Sequence, residues 1–273
     1  MFEEQILNEI LAAAPAFLLI AARALAMIET APLLNNDSIP QVAKISLAGF
    51  VAYMSFNSAI VSSWNIPAFD LGFIFLVIGE GIIGIIIGFF LSIVFAAFVT
   101  AGQFFSLQMG FGASETFDPL SQIENPLLGQ YLNLVAMLVF VTIDGFRELF
   151  LGGFYRSLQS LNVINLVSGR ETIVAMVLAG LSRLFMDAMI IALPILGTLF
   201  LVSLSTGLIS KAAPQINILS EGFPISITVA WLVIFLALPF MTDIFSRVIG
   251  SGFETLRSLY IIIGERIATG GAI

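Results

Sequence analysis

A chain of 273 residues that is 59% hydrophobic and only 10% charged cannot cover a water-soluble ball of its size, since soluble domains carry about 25% charged residues; with a mean hydropathy of +1.07 it reads as an integral membrane protein. The chain has no Cys and no His, which excludes disulfides, zinc thiolate sites, Cys nucleophiles and His general bases. A net charge of -8, from 10 basic and 18 acidic residues, with no basic run, argues against nucleic acid as a partner.

The first apolar stretch covers about residues 10–28 and follows Glu3, Glu4 and Glu9, with no basic residue before Arg23. That polarity is wrong for a cleavable signal peptide, so the segment is expected to be retained. Further apolar stretches at about 42–61, 71–107, 127–143, 172–210 and 225–241 bring the expected spans to six, each meeting the need for about 20 helical residues. Loops are expected from Ala31-Pro32 to Ile39-Pro40, around Asn65-Ile66-Pro67, and from Lys211 to Pro224. After Met241 the tail to about Ile267 predicts one more, amphipathic helix, with Asp243, Arg247, Glu254, Arg257, Glu265 and Arg266 among apolar residues. The expected fold class is therefore an all-α membrane protein of about six long apolar helices plus a C-terminal amphipathic helix.

Two of these stretches, 71–107 and 172–210, would be about 55–60 Å long at 1.5 Å per residue, far beyond a bilayer core of about 30 Å. Helices of that length are expected to be shielded by protein for part of their course, which points to a subunit of a larger helical assembly. Arg147, Arg156 and Arg170 after the fourth span, and Arg247, Arg257 and Arg266 in the tail, outnumber Lys44 and Lys211 on the other face. The positive-inside rule then places both termini in the cytoplasm. The 26 Phe, against 4 Tyr and 2 Trp, suit lipid or helix contact better than a catalytic lining.

Gly79-Glu80-Gly81-Ile82-Ile83-Gly84 matches a dinucleotide fingerprint in letters, but no strand precedes it and no βαβ unit follows. Spacing describes it better: Glu80, Gly84, Gly88, Ser92, Ala96 and Thr100 recur every fourth residue. Such a stripe of small residues winds around a helix and accepts another helix crossing at an angle. Glu80 is either a functional carboxylate within the membrane or a satisfied hydrogen-bond partner between helices.

From Gln108, Met109, Gly110, Phe111 and Gly112 through Phe117, Asp118 and Pro119 to Asn125-Pro126, the apolar pattern is interrupted. Long irregular connections are usually functional or disordered. This one reads either as a constricting loop, with Phe111 and Phe117 as plugs and Gly110 and Gly112 supplying backbone freedom, or as an ordinary extramembrane loop. Arg183 and Asp187 stand one turn apart in the fifth span and are expected to form a buried ion pair, structural or part of a proton relay. No P-loop, serine nucleophile elbow or carboxylate pair of glycosidase type occurs, so no enzyme, metal or cofactor is expected.

Several strings taken together resemble the FliR family, the R-type subunit of the flagellar type III protein-export gate and counterpart of the T-type subunit of virulence secretion systems. They are Arg23; Ala31-Pro32-Leu33; Ile39-Pro40 with Lys44; Glu80 with Gly84 and Gly88-Phe89; Ala101-Gly102-Gln103 leading to Gln108-Met109-Gly110; Ser205-Thr206-Gly207-Leu208; Pro214-Gln215-Ile216-Asn217; and Gly222-Phe223-Pro224. The chain departs from that pattern at Ala24-Leu25-Ala26, where a glycine is expected, at Lys211 and at Ser226. The resemblance implies a gate that passes unfolded flagellar proteins across the bacterial inner membrane at the flagellar basal body. Its implied partners are P-type and Q-type gate subunits, the B-type switch subunit, other membrane proteins of the export apparatus, the unfolded substrates and lipid. It also implies a P-like helical part over 1–170, carrying the 108–126 loop, then a Q-like helical hairpin with the C-terminal helix over 171–273. The Q-like loop is expected to hold Lys211, Pro214, Gln215, Asn217, Gly222, Phe223 and Pro224. The competing reading is a secondary transporter of a small solute using Glu80 and the Arg183–Asp187 pair as coupling-ion sites; no matched pair of broken helices is visible in the two halves.

Overall fold

A computed structural model of the chain describes residues 2–56, 70–110, 127–163, 166, 169–213 and 218–268. Every regular element among them is helical. In chain order these are α1 (Phe2–Thr30), α2 (Gln41–Ser55), α3 (Leu71–Met109), α4 (Leu127–Thr142), the short α5 (Gly145–Arg147), a π-helix (Glu148–Tyr155), α6 (Arg156–Ser160), α7 (Arg170–Ala212) and α8 (Ile218–Ala268). The all-α membrane reading holds: Ala13–Thr30, Leu71–Met109, Arg170–Ala212 and Gly222–Gly264 are each long and apolar enough to cross a bilayer. The expected second and fourth spans correspond to helices of only 15 and 16 residues, α2 and α4.

Two boundaries differ from the sequence reading. The sixth span and the tail helix are one continuous helix of 51 residues, α8, with Pro224 and Pro239 inside it. A proline removes one ladder donor and can kink a helix without ending it when neighbouring groups satisfy the backbone. The prolines of α7 and α8 share a local pattern, with hydroxyls donating to their carbonyls from Thr198 to Pro194, Thr228 to Pro224 and Thr242 to Pro239. The second difference is the stretch after the fourth span, where Arg147 and Arg156 sit in helical turns and not in a loop. Asp144, with φ of 57°, separates α4 from α5, and Gly152 and Gly153 lie in the wide turns of the π-helix that follows.

The residues pack into two units, and neither is a continuous piece of chain. The first takes residues 1–92, 144–180 and 251–273, and the second takes 93–143 and 181–250. In the first, the core is built from Leu19, Ile20, Met27 and Ile28 of α1, Ile83 and Ile87 of α3, Phe154 of the π-helix, and Leu256, Leu259 and Ile263 of α8. α2 lays Lys44, Ala48, Ala52 and Ser55 inward, a spacing of three and four that gives one face of a helix. The Lys44 ammonium reaches Glu29 of α1 at 3.0 Å.

In the second unit, part of the phenylalanine content forms the core. Phe95 meets Phe98 at 5.8 Å and Phe140 at 5.7 Å, both edge-on, and Phe98 meets Phe245 at 4.6 Å. Edge and tilted geometries of this kind suit the ring quadrupole. α3 and α4 approach closely, since a Cβ on Gly102 would collide with the Gly129 backbone.

Candidate functional site

Arg23 sits in the middle of an apolar helix and is 0% exposed, so its five donors need partners inside the protein. They find them on three segments of the first unit. Nε donates to Glu80 Oε2 of α3 at 2.6 Å, and Nη2 bears on the same oxygen. Nη1 donates to Ser157 Oγ at 3.0 Å and Nη2 to the Leu161 carbonyl at 2.9 Å. The Ser157 hydroxyl in turn donates to the Phe154 carbonyl at 2.6 Å. A planar guanidinium suits this role because its fork addresses several acceptors at fixed angles, which an ammonium cannot do. One side chain thereby ties α1, α3 and the turns after the π-helix together.

Below that node α1 lies in the small-residue groove of α3. A Cβ on Gly84 would run into the Arg23 carbonyl and the Met27 amide, and one on Gly88 into Thr30 Oγ1 and the Met27 carbonyl. One turn further, the Ser92 hydroxyl donates to the Thr30 carbonyl at 2.8 Å. The stripe is therefore a helix contact, as its spacing indicates, and its occupant from Glu80 to Ser92 is α1 of the same chain. Gly79 faces Val163, whereas a Cβ on Gly81 would meet open space. Of the three fingerprint glycines, Gly79 and Gly84 thus face packed neighbours and Gly81 does not.

On the other side of the π-helix a second set of polar contacts comes from α8. The buried Tyr260 hydroxyl donates to the Gly153 carbonyl at 2.9 Å. Arg257 reaches Glu148 at 3.1 Å and Glu254 at 2.9 Å.

In the second unit, α3 ends at Met109, which is 0% exposed. Gly110 follows with φ of +91°, and its amide donates to the Leu107 carbonyl at 3.1 Å. A Cβ there would strike Cδ1 and Cε1 of the Phe223 ring. Phe223 stands near the start of α8, so two strings far apart in the sequence, Met109-Gly110 and Gly222-Phe223-Pro224, meet at one helix end.

The family described as bacterial export proteins, family 1, matches residues 14–252, which takes in Arg23, Glu80, the groove, Gly110 and Phe223. The chain belongs to that family. This export protein is 28% identical over 260 residues to the flagellar biosynthetic protein FliR of Bacillus subtilis, covering 94% of this chain and 99% of that one. It is 30% identical over 245 residues to the flagellar biosynthetic protein FliR of Escherichia coli, covering 88% and 92% respectively. It is also 29% identical over 212 residues to the surface presentation of antigens protein SpaR of Shigella sonnei, over 75% of this chain and 78% of that one. The resemblance read from the scattered strings is thereby borne out.

The remaining expected residues of this export protein are placed as follows. Arg183 and Asp187 do form an ion pair, at 3.6 Å, but the Arg183 side chain is 51% exposed, so within the chain the pair is not buried. Lys211 lies in the last turn of α7, and Gly222, Phe223 and Pro224 are helical residues of α8. α8 begins before Pro224, at Ile218, because the helix continues through a proline that sequence reading takes as a stop. Gln108 and Met109 close α3. Phe111, Gly112, Phe117, Asp118, Pro119, Pro214, Gln215 and Asn217 fall outside the described residues. Sequence reading missed the pairing of Arg23 with Glu80. The signal was available: Glu80 is the one charged residue of α3 and Arg23 the one basic residue of α1, and opposite charges in apolar helices have few other ways to be accommodated.

Proposed function

We propose that this chain is the R-type subunit of a flagellar type III export gate in the bacterial inner membrane, at the flagellar basal body. With P-type and Q-type subunits it forms the channel through which unfolded flagellar proteins leave the cytoplasm, and the B-type switch subunit and other export-apparatus membrane proteins are further partners. The observation that carries this is the match to family 1 of the bacterial export proteins over residues 14–252, joined to near full-length likeness to a flagellar FliR protein. Helix length supports it: α3, α7 and α8 have 39, 43 and 51 residues, or about 58–76 Å at 1.5 Å each.

Surface chemistry supports it too. In an 18-residue apolar stretch of each helix, only 28% of the residues in α7 and 17% in the Gly222–Gly264 part of α8 are buried within the chain, against 56% in α3. α7 also carries Arg183 on an exposed position among Leu181, Phe185 and Met186. A guanidinium facing hydrocarbon is costly, so part of that surface suits protein or water better than lipid. The start of α7 at Arg170 supports reading 1–170 as the P-like part and 171–273 as the Q-like hairpin with its C-terminal helix.

Deleting the gene in its flagellated host is expected to abolish secretion of rod, hook and filament proteins while uptake of small metabolites continues. In detergent the chain is expected to come out with other small apolar membrane proteins. A motile deletion strain, or a chain that purifies only with copies of itself, would sink this assignment and favour a transporter.

A further inference from the structure

Gly110 is subject to two separate demands. Its φ of +91° lies in the region that only glycine enters without strain, which is a common way to end a helix and needs no neighbour. The second demand is less ordinary, because the space a Cβ would take is occupied by the edge of the Phe223 ring. A helix terminus does not require an aromatic ring closed against its backbone.

The ring is also not a plain core filler. Phe223 keeps 38% of its surface exposed, while Met109, next to the glycine, keeps 0%. It stands between Gly222 and Pro224 near the start of α8, and Pro224 restricts the backbone beside it. The Thr228 hydroxyl donates to the Pro224 carbonyl at 2.8 Å. A partly exposed ring seated beside a proline and closed on Gly110 fixes the residue that ends α3.

We infer that Phe223 is a positioning residue for export: by closing on Gly110 it holds the C-terminal end of α3 and couples that helix end to the start of α8. This rests on the export-gate reading given above. The ring touches no substrate in this account and acts through Gly110.

The test uses complete gate complexes in a flagellated host, with Phe223→Ala, Phe223→Tyr, Gly110→Ala and the pair Gly110→Ala with Phe223→Ala. Secreted flagellar protein is measured per assembled complex, the complexes being counted by co-purification. Phe223→Ala is expected to assemble normally yet export several-fold less per complex, and Phe223→Tyr, which keeps the ring, is expected to restore export to near the unmodified level. Gly110→Ala is expected to lose more. The double variant should be no worse than Gly110→Ala alone, since removing the ring frees the space the new methyl needs, and contacting residues are non-additive. The inference is overturned if Phe223→Ala complexes export normally, if the two losses multiply, or if Phe223→Ala blocks assembly outright, which makes the ring merely structural.

Failure of the export reading itself has a different signature, namely a strain without the chain that still secretes flagellar protein. In that case the contact is still read by the same four variants in thermal unfolding of the purified chain in detergent. Non-additive shifts keep the coupling of Gly110 to Phe223, and additive shifts remove it.

Discussion

At the residue scale, Arg23 and Glu80 illustrate how a charge survives in an apolar interior. Each is nearly inaccessible, and each neutralises the other. Replacing Arg23 with Met leaves Glu80 as an uncompensated buried charge, a change that typically costs about 3–5 kcal/mol; the expected result is loss of folded chain from the membrane fraction. Pairing Arg23→Met with Glu80→Leu is expected to recover a large part of that loss, because a buried pair replaced by apolar groups is often nearly neutral. The amount of protease-resistant chain in the membrane fraction checks both. The glycines offer a sharper comparison within one short stretch. Gly84→Leu forces a side chain into the Arg23 carbonyl, whereas Gly81→Leu projects into open space. Overpacking costs about 1–3 kcal/mol or more, so Gly84→Leu is expected to lower the thermal midpoint clearly and Gly81→Leu hardly at all. Equal midpoints would show that the groove does not hold α1.

At the scale of elements, the π-helix over Glu148–Tyr155 is the least regular part of the first unit. Its wide turns depart from the α ladder, and π-turns occur frequently at functional sites. Here the departure is met from α8: Tyr260 supplies a donor to the Gly153 carbonyl and Arg257 supplies one to Glu148. Tyr260→Phe keeps the ring and removes the donor, leaving the Gly153 carbonyl with the Arg156 amide alone, a loss of about 0.5–1.5 kcal/mol. The expected outcome is a lower melting temperature of the purified protein, with faster amide exchange confined to residues 148–160. An unchanged exchange pattern would mean that the π-turns hold without the tyrosine. The same scale explains why sequence reading breaks α8 in two. The pattern changes near Met241 from nearly all apolar to charged and amphipathic, and a change of surroundings reads like a change of element even though the backbone ladder continues.

For the whole molecule, the relevant quantity is how much apolar surface the chain leaves uncovered. Leu193, Phe200, Leu201, Leu204 and Leu208 of α7 and Phe235, Leu236 and Phe240 of α8 are all at least half exposed. Contiguous apolar surface on this scale marks contact with lipid or with another protein. Helices longer than about 20 residues cannot all be covered by a bilayer core of about 30 Å. The isolated chain in detergent is therefore expected to be aggregated or polydisperse, and to become monodisperse when co-expressed with the P-type and Q-type subunits proposed as its partners. Light scattering on the two preparations decides this, and a stable folded monomer purified alone would count against the assembly.

What the sequence determined by itself is everything that depends on composition and local period. The all-α membrane class, the excess length of α3 and α7, the groove spacing from Glu80 to Ser92 and the family strings all belong to single segments. They could be read without knowing what any segment touches. Tertiary structure alone decided the partners: that α1 fills the groove, that Arg23 answers Glu80 and Ser157, that Tyr260 reaches Gly153, and that Phe223 closes on Gly110. The same limit made the Arg183–Asp187 pair legible as a pair but not as exposed. The physical reason is that helices in an apolar chain are not sorted by hydrophobicity, since lipid is as apolar as leucine. Faces are matched instead by steric fit at glycines, whose spacing marks a groove but not its occupant, and by hydrogen bonds between groups far apart in sequence, which leave no periodic trace in either segment alone.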